Sequence, residues 1–302
     1  MIAAVLALVV LAPAAAADAP CAGAAEAVRF GDWLAAHEDY YRAIGEYERA
    51  TFLGSGRCAE EQVTLRIGRA YALGEQGERA AEVVRDLARG ATDRGVRGEA
   101  TLVLAYARLR AGDAVSAVAL ARSVAGAEPT APVTGRSRIL AAVALLREPG
   151  CEREAAREVG PVERDPALAP LARDVARTAT RLAAAPRKSP ALAGALSAVV
   201  PGLGHAYLGE PGTALTALAV NAVFAWATVD ALRDRRYGLG AAALAIESLW
   251  YGGAIFGAVA GAHRYNRDAR ALPLEELEAG ARLERELLPP PPALYLRAGA
   301  EF

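Results

Sequence analysis

Residues Gly212 to Leu232 read GTALTALAVNAVFAWATVDAL, and Tyr237 to Ala262 read YGLGAAALAIESLWYGGAIFGAVAGA. Each stretch carries one charge, Asp230 in the first and Glu247 in the second. As a helix the first reaches about 32 Å, enough to cross a hydrocarbon core, and the second is longer. Two such stretches must either pack inside a protein or dissolve in lipid. Between them RDRR, Arg233 to Arg236, is too polar for lipid and makes a tight loop. The reading is two antiparallel membrane spans, about 212–232 and 237–262; the bland alternative is a buried soluble hairpin.

Just upstream, VVPGLGHAYLGEPG interrupts the most apolar part of the chain with prolines and glycines. Ser189-Pro190 is a helix-start signal, with Ser189 as N-cap and Pro190 in the first turn. Pro201 disfavours helical geometry at Val200, so the helix ends there. It is then about 17 Å long, too short to span. The glycines that follow permit tight turns. Non-helical backbone at membrane depth is tolerated only when protein or a polar cavity shelters it. A short dipping or re-entrant helix before the first full span is therefore expected; a kinked third span, Pro190 to Leu208, is the alternative.

The first half repeats itself. Aligning small residues at helix contacts gives Ala43, Ala80, Ala117 and Ala155, spaced by 37, 37 and 38 residues. First-helix positions recur as Phe30/Gly31, Ile67/Gly68/Tyr71, Leu104/Ala105 and Val143/Leu146. Turn signals fall at LGEQGE, RAGDA and REPGC, and Pro129 sits where the repeat family that the next stretch resembles often closes a unit. EDYYRAIGEYERA, with Ala43, Tyr47 and Ala50, resembles the second-helix start of a tetratricopeptide repeat over residues 26–165. Asp165-Pro166 marks the start of a capping helix running to about Ala185, within a cap-and-linker stretch of 166–188. The expected fold class is all-α: a helical-repeat solenoid followed by a membrane domain over 189–267. Such a stack leaves a concave groove for a partner protein. Tyr47 and Tyr71 sit at core positions, which leaves Tyr40 and Tyr41 as the candidate contacts.

Pro201, Gly202, Gly204, Tyr207 and Gly209 match a Pro-Gly-x-Gly-x-x-Tyr-x-Gly pattern. The segment resembles small bacterial two-span proteins of the TM2-like class, which occur alone or behind helical repeats. His205 stands where such sequences often carry Gln. The resemblance implies architecture and no activity.

Asn221 and Glu247 both sit roughly 15 Å from the loop between the spans. A carboxylate at that depth costs about 3 kcal/mol on insertion scales, which a hydrogen bond from Asn221 would reduce. A helix-pairing contact is the plainer reading; an ion or proton site is the functional one. Gly253, Gly257 and Gly261 form a small-residue stripe that lets helices approach closely, within the hairpin or between copies in a homo-oligomer.

MIAAVLALVVLAPAAAADAP has a short apolar run from Ile2 to Ala12 and small residues from Ala14 to Ala17. It reads as a signal peptide over 1–17, with an uncleaved anchor as alternative since the start carries no Lys or Arg. Export permits disulfides, and antiparallel helices bring Cys21 and Cys58 to one end of a hairpin. Cleavage places the repeats in the periplasm and Arg233, Arg235 and Arg236 on the cytoplasmic side of the inner membrane. Arg187, Lys188, Arg264 and Arg267 flank the opposite side and blunt that bias. After Asn266 a polar helical pattern and PPPP form a tail over 268–302.

A net charge of −1 gives no bulk attraction to nucleic acid. His37, His205 and His263 are scattered, and no phosphate loop, dinucleotide fingerprint or zinc-type spacing is present. No cofactor and no metal are expected. The function expected is a non-enzymatic, membrane-anchored interaction scaffold of the bacterial envelope. The alternative is a small membrane assembly in which Asn221, Glu247 and His205 handle an ion or proton.

Overall fold

The computed structural model describes residues 21–54, 59–127, 132–279 and 282–290. The signal-peptide reading, Pro129, Cys58 and the last residues of the tail lie outside these. Among the described residues there are fourteen α-helices and no strand. Two compact units form: one from the residues up to Thr180 together with those from Leu277 onward, the other from Arg181–Glu276.

Alanine-rich helices with few β-branched residues explain the class. In the first unit α1 (Ala22–Ala36) pairs with α2 (Tyr40–Gly54), and α3 (Glu60–Leu73) with α4 (Gly77–Gly90). α5 (Arg94–Arg110) pairs with α6 (Ala114–Ala127), and α7 (Pro132–Arg147) with α8 (Glu152–Val159). Each pair packs on the next, and α3, α5 and α7 also touch in series.

The repeat is physical as well as textual. Ala43, Ala80, Ala117 and Ala155 are all fully buried. Gly31 admits the Tyr47 ring so closely that an added Cβ would lie 2.6 Å from Cε1, and Gly68 admits Val84 in the same way. The equivalent positions in the third and fourth pairs, Ala105 and Ala142, are fully buried too. Each turn between paired helices has one residue with positive φ: Glu38, Glu75, Gly112 and Gly150. The fourth pair therefore follows the same plan as the first three.

A 3₁₀ turn (Gly160–Arg164) precedes α9 (Ala169–Ala184). Here the structure corrects the expected start at Asp165-Pro166. Asp165 Oδ1 accepts from Ala167 N at 2.9 Å and caps a tight turn; the helix begins at Ala169. Leu168 fills the space over Gly135 of α7, so this region does cover the last pair.

In the second unit α10 (Pro190–Val199) is followed by α11 (Leu203–Leu208), α12 (Pro211–Arg233) and α13 (Tyr237–Glu278). Ser189 caps α10, its hydroxyl accepting from Leu192 N at 3.2 Å. Val200 is extended at φ −137°, as the following proline requires. α11 then folds back against α10, so the two do not form one continuous rod. α12 and α13 are both long and apolar enough to cross a membrane, and only 17% of each apolar window is buried. Leu215, Trp226, Leu249, Trp250 and Phe256 are among the large apolar side chains left exposed. Such faces are unfavourable in water and favourable in lipid, which makes this unit membrane-associated.

α13 has 42 residues and contains Pro273. The polar pattern expected as a separate tail is thus partly the end of the second apolar helix. Beyond it, α14 (Arg282–Leu287) packs on α7.

Candidate functional site

The odd-numbered helices of the repeats carry polar residues at equivalent positions. Asp32, Arg69 and Tyr106 lie 37 residues apart, as do Glu99 and Arg136, and Arg110 and Arg147. Successive helix pairs pack on one another and α3, α5 and α7 touch in series, so residues at the repeat interval line up as columns. Buried charges at such positions must be paired. Arg66 Nε donates to Asp32 Oδ1 at 2.9 Å and Nη2 to Oδ2 at 3.3 Å. Tyr47 donates to the same Oδ1 at 2.9 Å. Glu99 accepts from Arg69 Nη2 at 2.5 Å and from both terminal nitrogens of Arg136. Burial lowers the Arg69 pKa and Glu99 opposes it. Burial, reinforced by Asp32, raises the Tyr47 pKa; burial, reinforced by Glu284, raises that of Tyr106.

The chain's own C-terminal segment lies on this face. Arg147 holds Glu278 at 2.9 Å, and Tyr106 donates to Glu284 at 2.5 Å. Arg136 Nη1 donates to the main-chain carbonyl of Leu287 at 3.2 Å. Leu287 and Leu288 are buried almost completely. Past them a cleft of about 420 Å³ remains, bounded by Tyr40, Tyr47, Arg66, Arg69 and Leu73 on one side and Leu288 and Pro289 on the other. Tyr40 thus lines the cleft, whereas Tyr41 is 83% exposed and does not. Sequence reasoning missed both the columns and the segment that meets them. The available signal was charge recurring at the repeat interval inside apolar helices.

In the second unit the glycine–proline break is satisfied group by group. Gly204 N donates to Ser197 Oγ at 3.2 Å, and Tyr251 donates to Ala198 O at 2.6 Å. Gly202 has φ +90°, and a Cβ there would strike the Ala214 carbonyl. Gly204 sits against α10 and against Ala258 of α13, again with no room for a side chain. Gly209 is also left-handed, at φ +85°. His205 is buried, with Nδ1 3.0 Å from Glu210 Oε2. Ser189 N donates to the Tyr207 hydroxyl at 3.0 Å. Lys188 donates to the Tyr207 carbonyl at 3.0 Å and lies 4.6 Å from the Tyr207 ring centre. The Asn266 amide brackets the Lys188 main chain with two bonds of 2.8 Å. Pro201, Gly202, Gly204, His205, Tyr207 and Gly209 thus form one folded knot.

Gly257 faces His205 and Gly261 faces Leu208, so two of the three stripe glycines receive α11; Gly253 faces open space. No hydrogen bond joins Asn221 to Glu247. The Asn221 amide donates back to Ala217 O at 2.7 Å, and Asn221 Oδ1 and Glu247 Oε2 are buried without a partner. The expected hydrogen bond between them is replaced by a bond within the Asn221 helix. Cys21 is disulfide-bonded and Cys151 is a free thiol, while Cys58 lies outside the described residues. Among the described residues no group of His, Cys, Asp and Glu is placed to hold a metal.

Comparison with protein-family models, curated proteins and solved structures finds no significant match. The class that the fold defines is an all-helical protein of repeated helix pairs with two candidate membrane helices.

Proposed function

We propose that this chain is a non-enzymatic interaction scaffold of the bacterial cell envelope, anchored in the inner membrane by α12 and α13. Its helix pairs act as tetratricopeptide-like repeats on the periplasmic side, and the resemblance of the break motif supports a TM2-like anchor. The observation that carries this reading is the bond from Arg136 to the main-chain carbonyl of Leu287. A face that holds polypeptide backbone, flanked by tyrosine and arginine for acidic side chains, is suited to a peptide and not to a small substrate.

Photocrosslinkers placed at Tyr40 and Arg110, in cells, test it. A protein partner captured from these positions and not from the exposed Arg89 supports the reading; no captured protein from either overturns it. Protease added to spheroplasts should cut the repeats, and cutting only after lysis would overturn the topology.

The unpartnered Asn221 and Glu247 oxygens favour one second reading, an ion- or proton-handling assembly. Glu247→Gln discriminates: a lost cellular phenotype with unchanged expression selects the second reading, and an intact phenotype selects the scaffold.

A further inference from the structure

We infer that Glu278 together with residues 282–290 is a built-in competitor for the partner, and that the partner presents the same chemistry: a short helix carrying glutamates, followed by Leu-Leu and proline. This rests on the scaffold reading and names its partner class and its regulation. The acidic side chains meet the Arg110–Arg147 column: Glu278 binds Arg147, while Glu284 binds Tyr106 and lies 3.6 Å from Arg110. Leu287 and Leu288 enter the apolar part of the face, and Pro289 opens toward the remaining cleft.

Three features make this segment displaceable even though Leu287 and Leu288 are buried. α14 has only six residues, too short to be a stable helix by itself. Its ion pairs are partly solvated, with the Arg110 and Glu284 side chains 41% and 40% exposed, so each contributes little. The described residues leave the cleft beyond Leu288 unfilled, so residues 282–290 cover only part of what the face can hold. Tethering supplies the rest, because a ligand on the same chain acts at a high effective concentration.

The test uses the full chain in detergent micelles and a fluorescent peptide ELEAGARLERELLPP. One protein is wild type; the other carries Leu287→Asp and Leu288→Asp, which expel the segment. The expected result is peptide affinity at least about tenfold higher for the opened variant. A peptide with both Glu278 and Glu284 replaced by Lys should then fail to bind. Should the double variant misfold, by circular dichroism, Glu278→Gln with Glu284→Gln opens the face more gently. In wild type, excess peptide should speed hydrogen exchange of residues 282–290. Equal affinity for both proteins, or no binding to a folded opened variant, overturns the inference. So does a wild-type dimer, by light scattering, whose segments exchange between copies. Cellular capture of a partner with failed peptide binding sinks this inference alone; tight peptide binding with no cellular partner sinks the scaffold reading and, with it, the competition, leaving only a self-binding segment.

Discussion

The Tyr47 hydroxyl of the first helix pair donates to Asp32 over 2.9 Å, and Arg66 of the next pair grips the same carboxylate at the same distance. One acidic group thus ties two successive repeats. Wherever an apolar array is held together by such buried polar ties, its stability responds to pH and to single deletions.

Alkaline pH is the first prediction. Burial, then the nearby carboxylates, raise the pKa of Tyr47 and of Tyr106 above their ordinary value of 10.0. Above that value the unfolded chain ionises while the folded chain does not. The stabilisation is therefore complete below about pH 10 and is lost as pH rises further, by about 1.4 kcal/mol per pH unit for each tyrosine. Denaturant melts across this range should show the decline, and Tyr106→Phe should flatten it. Phenolate absorbance that develops for every tyrosine near pH 10, with the fold intact, would refute the account.

Glu99 is the second. It neutralises Arg69 and Arg136, whose side chains are 7% and 9% exposed. Glu99→Ala leaves two buried guanidinium groups without their anion and should destabilise the repeats by about 3–5 kcal/mol. A loss under about 1 kcal/mol in an equilibrium melt would mean that water reaches the site.

The third concerns Gly68, over which Val84 packs with no space for a methyl group. Gly68→Ala gains helix propensity but forces apart α3 and α4, for a net loss of about 1–2 kcal/mol. Val84→Ala removes the obstruction and leaves a cavity. Combined, the two changes should be milder than their sum, with a coupling of at least about 1 kcal/mol in a double-mutant cycle. Simple additivity would show that the helices separate freely.

The fourth prediction follows from the turns. Glu38 adopts φ 63°, where Gly112 and Gly150 sit in later pairs. Glu38→Gly removes left-handed strain, partly offset by extra freedom when unfolded, and should raise the melting temperature. Glu38→Val should lower stability by more than about 1 kcal/mol. The opposite order would mean that the Glu38 side chain, and not its backbone, matters.

Local signals carried most of the fold. Ala43, Ala80, Ala117 and Ala155 announced the helix pairs because a small residue is the only one that fits a close crossing. Ser189-Pro190 and Val200-Pro201 bounded α10 through capping and steric rules that act on neighbours in sequence. Long-range pairing was not legible. Tyr106 and Glu284 meet across 178 residues, and no periodicity connects a repeat column to an acidic tail. Glycine spacing showed that Gly257 and Gly261 admit a close neighbour, but the neighbour is α11, which the spacing does not encode. Asp165 misled because an Asx turn and a helix N-cap use the same oxygen and the same following proline.

The first helices of the four pairs end at Ala36, Leu73, Arg110 and Arg147, in steps of 37, yet the positive-φ residues fall at 38, 75, 112 and 150. The surplus residue of the fourth unit therefore sits between Arg147 and Gly150, outside both helices. A chain that has already absorbed one extra link there without shifting the register offers a natural splice point. An epitope or fluorophore-bearing loop inserted after Glu148 should leave every column of the array aligned.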